Sequence, residues 1–308
     1  MSFAHISAAD RIGLRRDDGS MNPFTRPNLL HAKCQRLLEV FAELPGCAVA
    51  LSGGVDSAVV AKAAVVALGE RAVAVTADSA SVPRAELAQA KELASAIGIR
   101  HVVVSTDEFD DPNYLRNGGD RCYFCKSELY ARIDQLLPEL GVSVVCSGAN
   151  LDDQGDYRPG LTAAAEHSVR HPLQEAGFTK ADVRELAKAW GLPVWDKPAS
   201  PCLSSRLAPG VAVTVERTAR VEAAEAYLKG LGVRDCRVRL HADELARVEL
   251  PAEEIGRFLE PTARLALSGK LKELGFRFVT LDLDGLKSGS LNALVSLEVR
   301  RKFTGGTS

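Results

Sequence analysis

Two groups of residues in this chain have the types and spacing that reaction chemistry needs. The first is the string Ser52-Gly53-Gly54-Val55-Asp56-Ser57. Adjacent glycines remove the Cβ atoms that would keep a ligand away from the backbone N–H groups. Where such a turn opens a helix, those N–H groups and the positive helix end converge on a point suited to phosphate. Ser52 and Ser57 add hydroxyl donors, and Asp56 adds a carboxylate that could hold Mg2+ or orient a nucleotide. The string lacks the G-x-x-x-x-G-K-[ST] pattern, so an ordinary P-loop NTPase is not indicated. The plainer alternative is a tight strand–helix turn with no ligand. The second group is sulfur. Cys122 and Cys125 lie in Asp120-Arg-Cys-Tyr-Phe-Cys-Lys126, and Cys202 lies in Ser200-Pro-Cys-Leu-Ser-Ser-Arg206. A three-residue separation puts two thiols on one helical face, and a helix start near Arg121 and Lys126 favours thiolates. Such a pair serves zinc, an iron–sulfur cluster or dithiol redox work, or is simply packed. Cys202 is the natural third member if the fold brings it near. Three thiolates leave one iron of a cubane open, whereas structural zinc takes four closed ligands.

Further polar groups fit the same chemistry. Asp56 with Asp153 or Asp156 is a candidate Mg2+ or substrate-positioning set, although paired aspartates in a loop are commonly a solvated turn. Arg158 could balance phosphate charge. Asp78, just after an apolar run, either contacts the ribose or base of a nucleotide or caps a turn. Lys126 and Arg206 are cations suited to carboxylate or phosphate. In Arg237-Val-Arg-Leu-His241, alternation puts Arg237, Arg239 and His241 on one face, which in the plain reading faces solvent.

The elements that must position these residues follow from periodicity. Helical spacing runs over Leu29–Leu44 and ends at Pro45-Gly46. Cys47–Leu51 reads as a buried strand that breaks at the serine–glycine turn, and a helix follows from Val55 to Leu68. Ala72–Thr76 is a second strand, and Pro83 opens a helix to Ile97 and Gly98. Ile99–Ser105 is a third strand, valine-rich as a central parallel strand is. A helix over Arg121–Leu137 and a strand over Val142–Ser147 complete the series. Strands alternating with helices predict an α/β doubly wound parallel sheet, with ligands at the carboxyl ends of its strands and a switch point near Ala77–Ser79. Residues 150–172 read as loop, and Thr179 caps a helix over Lys180–Trp190. A composition shift near Val211 opens a smaller α+β domain. It has a helix over Glu216–Leu231, strands at Cys236–His241, Ala246–Leu250 and Phe276–Leu283, and a helix over Ala252–Leu274 broken near Pro261. The expected division is a disordered tail over 1–27, a nucleotide domain over 28–210, the small domain over 211–290 and a C-terminal tail over 291–308; Met21 is an alternative start.

The 308 residues, 46% of them hydrophobic, suffice for a good core and two domains. A net charge of −2 gives no bulk attraction to nucleic acid or anionic membrane. No apolar run is long enough to span a bilayer, and the N-terminus has no secretory pattern. Seven cysteines, scattered and odd in number, argue against a disulfide framework. A soluble cytoplasmic protein is expected, with Cys34, Cys47, Cys146 and Cys236 as packing residues.

The string SGGVDS resembles the PP-loop of the ATP pyrophosphatases, which cleave ATP between the α and β phosphates and adenylylate a substrate. Together with RCYFCK, SGANLDDQGDYRPG, PL-x-E-x-GFTK, GLPVWDKP and PCLSSR, in that order, it resembles the LarE family over roughly residues 28–290. That resemblance implies ATP-dependent sulfur transfer in nickel-pincer nucleotide cofactor biosynthesis. The implied substrate is pyridinium-3,5-biscarboxylic acid mononucleotide, whose carboxylates are adenylylated with ATP and Mg2+ before sulfur displaces AMP. It also implies ATP contacts from Ser52, Gly53, Gly54, Asp56, Ser57, Asp78 and Gly148. Substrate contacts are implied from Lys126, Asp153, Asp156, Arg158, Ser205, Arg206 and Glu225, with Arg237 and Arg239 as phosphate anchors. One subgroup sacrifices the sulfur of the PCLSSR-type cysteine; the other adds the C-x-x-C pair and is thought to hold a [4Fe-4S] cluster that binds an extra sulfide. Cys122, Cys125 and Cys202 place this chain with the cluster subgroup. The implied partners are the pyridinium mononucleotide, a sulfide donor and further copies in a homo-oligomer, with no membrane and no nucleic acid. The alternatives are another PP-loop enzyme, such as a tRNA thiolase or an amide or nitrile synthase, and a nucleotide-binding regulator without catalysis.

Overall fold

The expected first helix forms as α1 (Arg26–Ala42), with Leu30, Cys34, Leu37 and Phe41 buried along one stripe. The computed structural model describes residues 26–154, 157–287 and 289–303. The tail expected before residue 28 therefore lies almost wholly outside them, as does Asp156. After α1 come β1 (Cys47–Ala50), α2 (Val55–Leu68), β2 (Ala72–Asp78), α3 (Arg84–Ile97) and β3 (Arg100–Ser105). Next are the short α4 (Pro112–Arg116), α5 (Arg121–Leu140) and β4 (Val144–Cys146). Then follow α6 (Pro159–Glu166), α7 (Pro172–Glu175) and α8 (Lys180–Ala189). The later elements are α9 (Val215–Gly230), β5 (Arg237–His241), β6 (Leu245–Glu249), α10 (Ala252–Leu259), α11 (Pro261–Glu273), β7 (Phe278–Leu281) and α12 (Leu297–Phe303).

Two compact units result. The first holds the described residues of Met1–Asp78, Arg84–Thr106 and Lys126–Ser200; the second holds Ser79–Pro83, Asp107–Cys125 and the described residues of Pro201–Ser308. This differs from the contiguous division expected at residue 210. The reason is hydrogen bonding: Val213 N donates to Leu115 O and Gly210 N to Asn117 O, both at 2.8 Å, which binds the 107–125 stretch to the later chain.

In the first unit, four parallel strands run in the order β3-β2-β1-β4. Strand β1 is buried throughout because both faces of a parallel sheet are covered. Helix α2 carries buried residues around most of its circumference, so it lacks the polar face of a surface helix and sits inside the core. Strand β3 corrects an expectation: it is an edge strand, and its valines are mostly half-buried. The switch point expected after β2 lies instead between β1 and β4, where the strand order reverses. Within the stretch read as loop, α6 is a two-turn helix opened by Pro159. Helix α8 begins as expected at Thr179, whose side chain accepts from Asp182 N while the Asp182 carboxylate accepts from Thr179 N.

Beside β4, Arg170 donates through Nε to Glu175 Oε1 at 2.8 Å and through Nη2 to Oε2. Those bonds hold the Glu175 carboxyl below its ordinary value, against the opposing effect of burial. A depressed carboxyl pKa contributes stability that is present above the unfolded value and is lost as pH falls through the folded one. Thermal unfolding followed between pH 3 and 7 (roughly the carboxylate range) should therefore show a shallower acid limb for Glu175→Gln than for the wild type.

In the second unit, β5 and β6 pair antiparallel and β6 and β7 pair parallel. Val221, Ala224 and Leu228 of α9 join Val238, Leu240, Ala246 and Val248 of the sheet in one core. The tail expected from residue 291 includes α12, whose Phe303 lies 5.9 Å, centroid to centroid, from the ring of Tyr123. Among the described residues no helix is long and apolar enough to cross a membrane.

Candidate active site

In the first unit the serine–glycine string occupies the turn from β1 into α2. Gly53 has φ +76°, a conformation that favours glycine. Gly54 is the N-cap of α2 with no side-chain cap, so the first-turn N–H groups keep no intrahelical partner. Ser57 Oγ donates to Gly54 O at 3.1 Å and accepts from Ser52 N at 3.2 Å. The Ser52 and Ser57 hydroxyls lie 3.2 Å apart. Gly148, just after β4, packs on this turn from across the switch point. A Cβ there would stand 2.7 Å from Ser57 N and 3.0 Å from Asp56 C, both backbone atoms that cannot swing away. Gly148→Ala is thus expected to destabilise by ~1–3 kcal/mol and to weaken ATP binding. Urea unfolding and an ATP titration monitored by calorimetry read the two effects.

Asp56 accepts from Asn150 Nδ2 at 3.1 Å and from Lys180 Nζ. Asp153 accepts from Asn150 N at 3.0 Å and pairs with Arg158 at 2.9 Å. Asn150 therefore joins the two aspartates in one network, but each carboxylate already has a cation partner. Lys197 Nζ donates to Gly53 O at 3.1 Å, Glu86 Oε2 at 2.6 Å and Gln89 Oε1 at 2.9 Å. Lys180, Lys197 and Asn150 are absent from the candidates that the sequence suggested. A lysine at the first position of a helix following Thr179 was the available signal for Lys180. Asp78 pairs with Arg84 at 2.6 Å. Lys126 also belongs to this unit, with Nζ 5.8 Å from the centroid of the Tyr130 ring.

The three candidate thiols all belong to the second unit. Cys122 is exposed, Cys125 and Cys202 are half-buried, and none is in a disulfide. Arg121, at the start of α5, is buried. Burial opposes its charge, yet the neighbouring Cys122, Cys202, Tyr114 and Cys125 raise its pKa above the ordinary value. Burial, then Cys202 and Cys125, push the Tyr114 hydroxyl up as well. By contrast, burial pushes the thiols of Cys34 and Cys236 up to about 12, and Cys47 and Cys146 are fully buried. These four are inert packing groups.

Cys202 lies at the head of a 3-10 turn, Leu203–Arg206. Ser205 N and Ser205 Oγ both donate to Cys202 O, at 3.0 and 2.6 Å. Arg206 is 2% exposed, and its guanidinium is spoken for. Nε and Nη2 donate to Glu225 at 2.9 and 3.1 Å, and Nη1 donates to Pro201 O and to Cys202 O, the latter at 3.1 Å. Expected to meet substrate, Arg206 and Glu225 form instead a buried pair that holds the cysteine turn. Glu225 also accepts from Val238 N at 3.1 Å. The plain solvent-facing reading of the β5 arginines does not hold, since both are buried. Arg239 reaches diagonally to Glu249 at 2.9 Å and donates to Ser205 O at 3.1 Å, while burial lowers its pKa against that pairing. Arg237 donates to Asp235 at 3.0 Å and Cys236 O at 2.7 Å.

Among the described residues no group of three or more His, Cys, Asp or Glu side chains is clustered as a metal site. The donor chemistry nonetheless fits two groups. Three thiols outside any disulfide, in the unit that also holds the buried Arg121, are the donor type that a cubane with one open iron takes. A carboxylate at a phosphate turn, already drawn to an ammonium, suits Mg2+ beside phosphate oxygens.

A protein family described as NAD synthase matches residues 37–133. An uncharacterized protein of Synechocystis sp. is 46% identical over 268 residues, covering 87% of this chain and 100% of its own. The pyridinium-3,5-bisthiocarboxylic acid mononucleotide synthase of Lactiplantibacillus plantarum is 40% identical over 264 residues, covering 85% of this chain and 95% of its own. An uncharacterized protein of Methanocaldococcus jannaschii is 26% identical over 174 residues, covering 56% of this chain and 67% of its own.

Proposed function

We propose the function of this chain from one premise: it belongs to the LarE family of ATP-dependent sulfur-transferring enzymes. The chain adenylylates the carboxylates of pyridinium-3,5-biscarboxylic acid mononucleotide and converts them to thiocarboxylates. The observation that carries the finer reading is the bond from Arg121, the neighbour of Cys122 at the start of the C-x-x-C helix, to Ser204 O at 2.7 Å, two residues beyond Cys202.

A carboxylate oxygen of the substrate attacks the α-phosphorus of ATP, and pyrophosphate leaves with the electron pair of the broken P–O bond. Ser52, Gly53, Gly54 and Ser57 hold the departing phosphates through N–H and hydroxyl donors. Asp56 would hold Mg2+, which would neutralise phosphate charge, and Lys180, paired with Asp56 in the structure, is placed to donate to a phosphate oxygen. Gly148 keeps the turn accessible by leaving no side chain over Ser57. The second step is displacement of AMP from the acyl carbon by sulfur. Cys122, Cys125 and Cys202 would hold a [4Fe-4S] cluster, which would supply the sulfide for this step. Arg206 and Ser205 fix the Cys202 turn, and Asp153 and Arg158 orient the substrate. A sulfide donor and further copies of the chain are its partners.

Anaerobic reconstitution with iron and sulfide tests this reading. The expected result is thiocarboxylate over several turnovers, with pyrophosphate released only when the pyridinium mononucleotide is present and Cys202 intact in the recovered protein. Iron-free protein that transfers the sulfur of Cys202, with Cys122→Ser and Cys125→Ser fully active, would overturn the cluster reading.

A further inference from the structure

Cys202 is far in sequence from the C-x-x-C pair, so something must fix its distance from Cys122 and Cys125. Arg121 is the covalent neighbour of Cys122, and its side chain leaves the start of α5 toward the cysteine turn. Nη1 donates to Ser204 O and to Asn117 Oδ1, both at 2.7 Å. Ser204 is two residues beyond Cys202 and wholly buried, and its hydroxyl lies 2.7 Å from Tyr114 Oη. Asn117, at φ +54°, anchors the other end of the same turn. Its Nδ2 donates to Leu207 O at 3.3 Å, Ala208 O at 2.9 Å and Val211 O at 3.0 Å. Residues 114, 117 and 121 thus grip the chain from Ser204 to Val211.

We infer that Arg121 is a positioning residue that fixes the Cys202 turn against the start of the C-x-x-C helix, so that one buried side chain sets the spacing of all three thiols. The inference rests on the three-thiol reading proposed above. A guanidinium suits the task because it stays charged when buried and bonds in fixed directions. Three thiolates and a bound metal need such a fixed countercharge, and groups one shell behind a metal govern its affinity by roughly 10–100-fold. The Arg206–Glu225 pair holds the turn from the Cys202 side, and Tyr114 and Asn117 bind the turn from the segment before α5; Arg121 bonds the turn from within α5, beside Cys122.

The test uses iron-free, full-length protein titrated with Cd2+ under argon, whose thiolate-to-metal absorption counts the sulfurs bound. Wild type is expected to bind through three thiolates and Cys202→Ala through two. Arg121→Gln should fall to the two-thiolate signal with at least about tenfold weaker binding, and Arg121→Lys should recover part of it. Loss of packing alone would lower the unfolding midpoint without changing the number of thiolates in the folded fraction. Tyr114→Phe, which keeps the ring and removes one bond to Ser204, gives the same direction with a smaller effect if Arg121→Gln does not fold. Three-thiolate binding by either folded variant at wild-type strength would overturn the inference and leave the proposed function standing. A two-thiolate signal from the wild type would overturn both.

Discussion

Cys202→Ala is expected to lower thiocarboxylate formation more than about a thousandfold, while pyrophosphate release with ATP and the pyridinium mononucleotide continues. The two halves of the expectation have separate physical sources. The phosphate turn, Asp56, Asn150 and Lys180 all belong to the first unit, and the adenylylation proposed for them breaks no bond to sulfur. Cys202 belongs to the second unit, in a turn whose carbonyls are held by Arg206 and Arg121. Its loss removes the sulfur step under either family strategy. Cys122→Ser and Cys125→Ser then separate the strategies: each should approach the Cys202→Ala result if a cluster delivers sulfide, and each should retain activity if Cys202 is sacrificed. Pyrophosphate release and product mass, measured in the same reaction, check both halves.

The second large effect is on stability. Glu225→Ala strands the Arg206 guanidinium, 2% exposed, without its carboxylate, and it removes the acceptor of Val238 N. Removing one partner of a buried pair costs about 3–5 kcal/mol, a large share of a domain's stability. The double replacement Arg206→Met with Glu225→Leu should recover the part of that loss due to the stranded guanidinium, since apolar residues of similar volume often substitute well for a buried pair, while Val238 N stays without its acceptor. Sulfur transfer should stay low in the double variant, because Pro201 O and Cys202 O both lose the Arg206 guanidinium that ties them to α9, leaving Cys202 O only the local bonds from Ser205. Urea unfolding and product assays on the two variants distinguish the stabilising role of the pair from its positioning one.

Much of the scaffold was legible because it is written locally. Cys47–Ala50 is continuous and apolar, Thr179 carries its capping partner three residues on, and Pro261 opens a helix where a break was expected. The valines of β3 misled because a valine run reads alike in a central strand and in an edge strand with one covered side. Helix α6 was missed because Pro159-Gly160 reads as punctuation, although proline suits a first helical turn. The site divides in the same way. Ser52–Ser57 and the three cysteines announce themselves by type and spacing. Lys180 is 124 positions from Asp56 and Lys197 is 144 from Gly53, and no periodicity reaches that far. The arginines of β5 alternated as expected, but alternation does not say that Glu249, on the next strand, draws one of them into the interior.

The second unit takes Ser79–Pro83 and Asp107–Cys125 from the middle of the chain and joins them to residues beyond Pro201. On the ribosome, Cys122 and Cys125 are therefore made long before the turn that carries Cys202. Neither Ser204 nor Glu225 exists at that stage to complete the grip. On the proposed three-thiol reading, a nascent chain would offer a metal two thiols rather than three, and the full set only once Cys202 is made. A fragment cut before Pro201 would likewise strand the C-x-x-C pair from Cys202, and one beginning there would lack Arg121. The sulfur chemistry of this chain is consequently not a module that can be transplanted by joining contiguous segments.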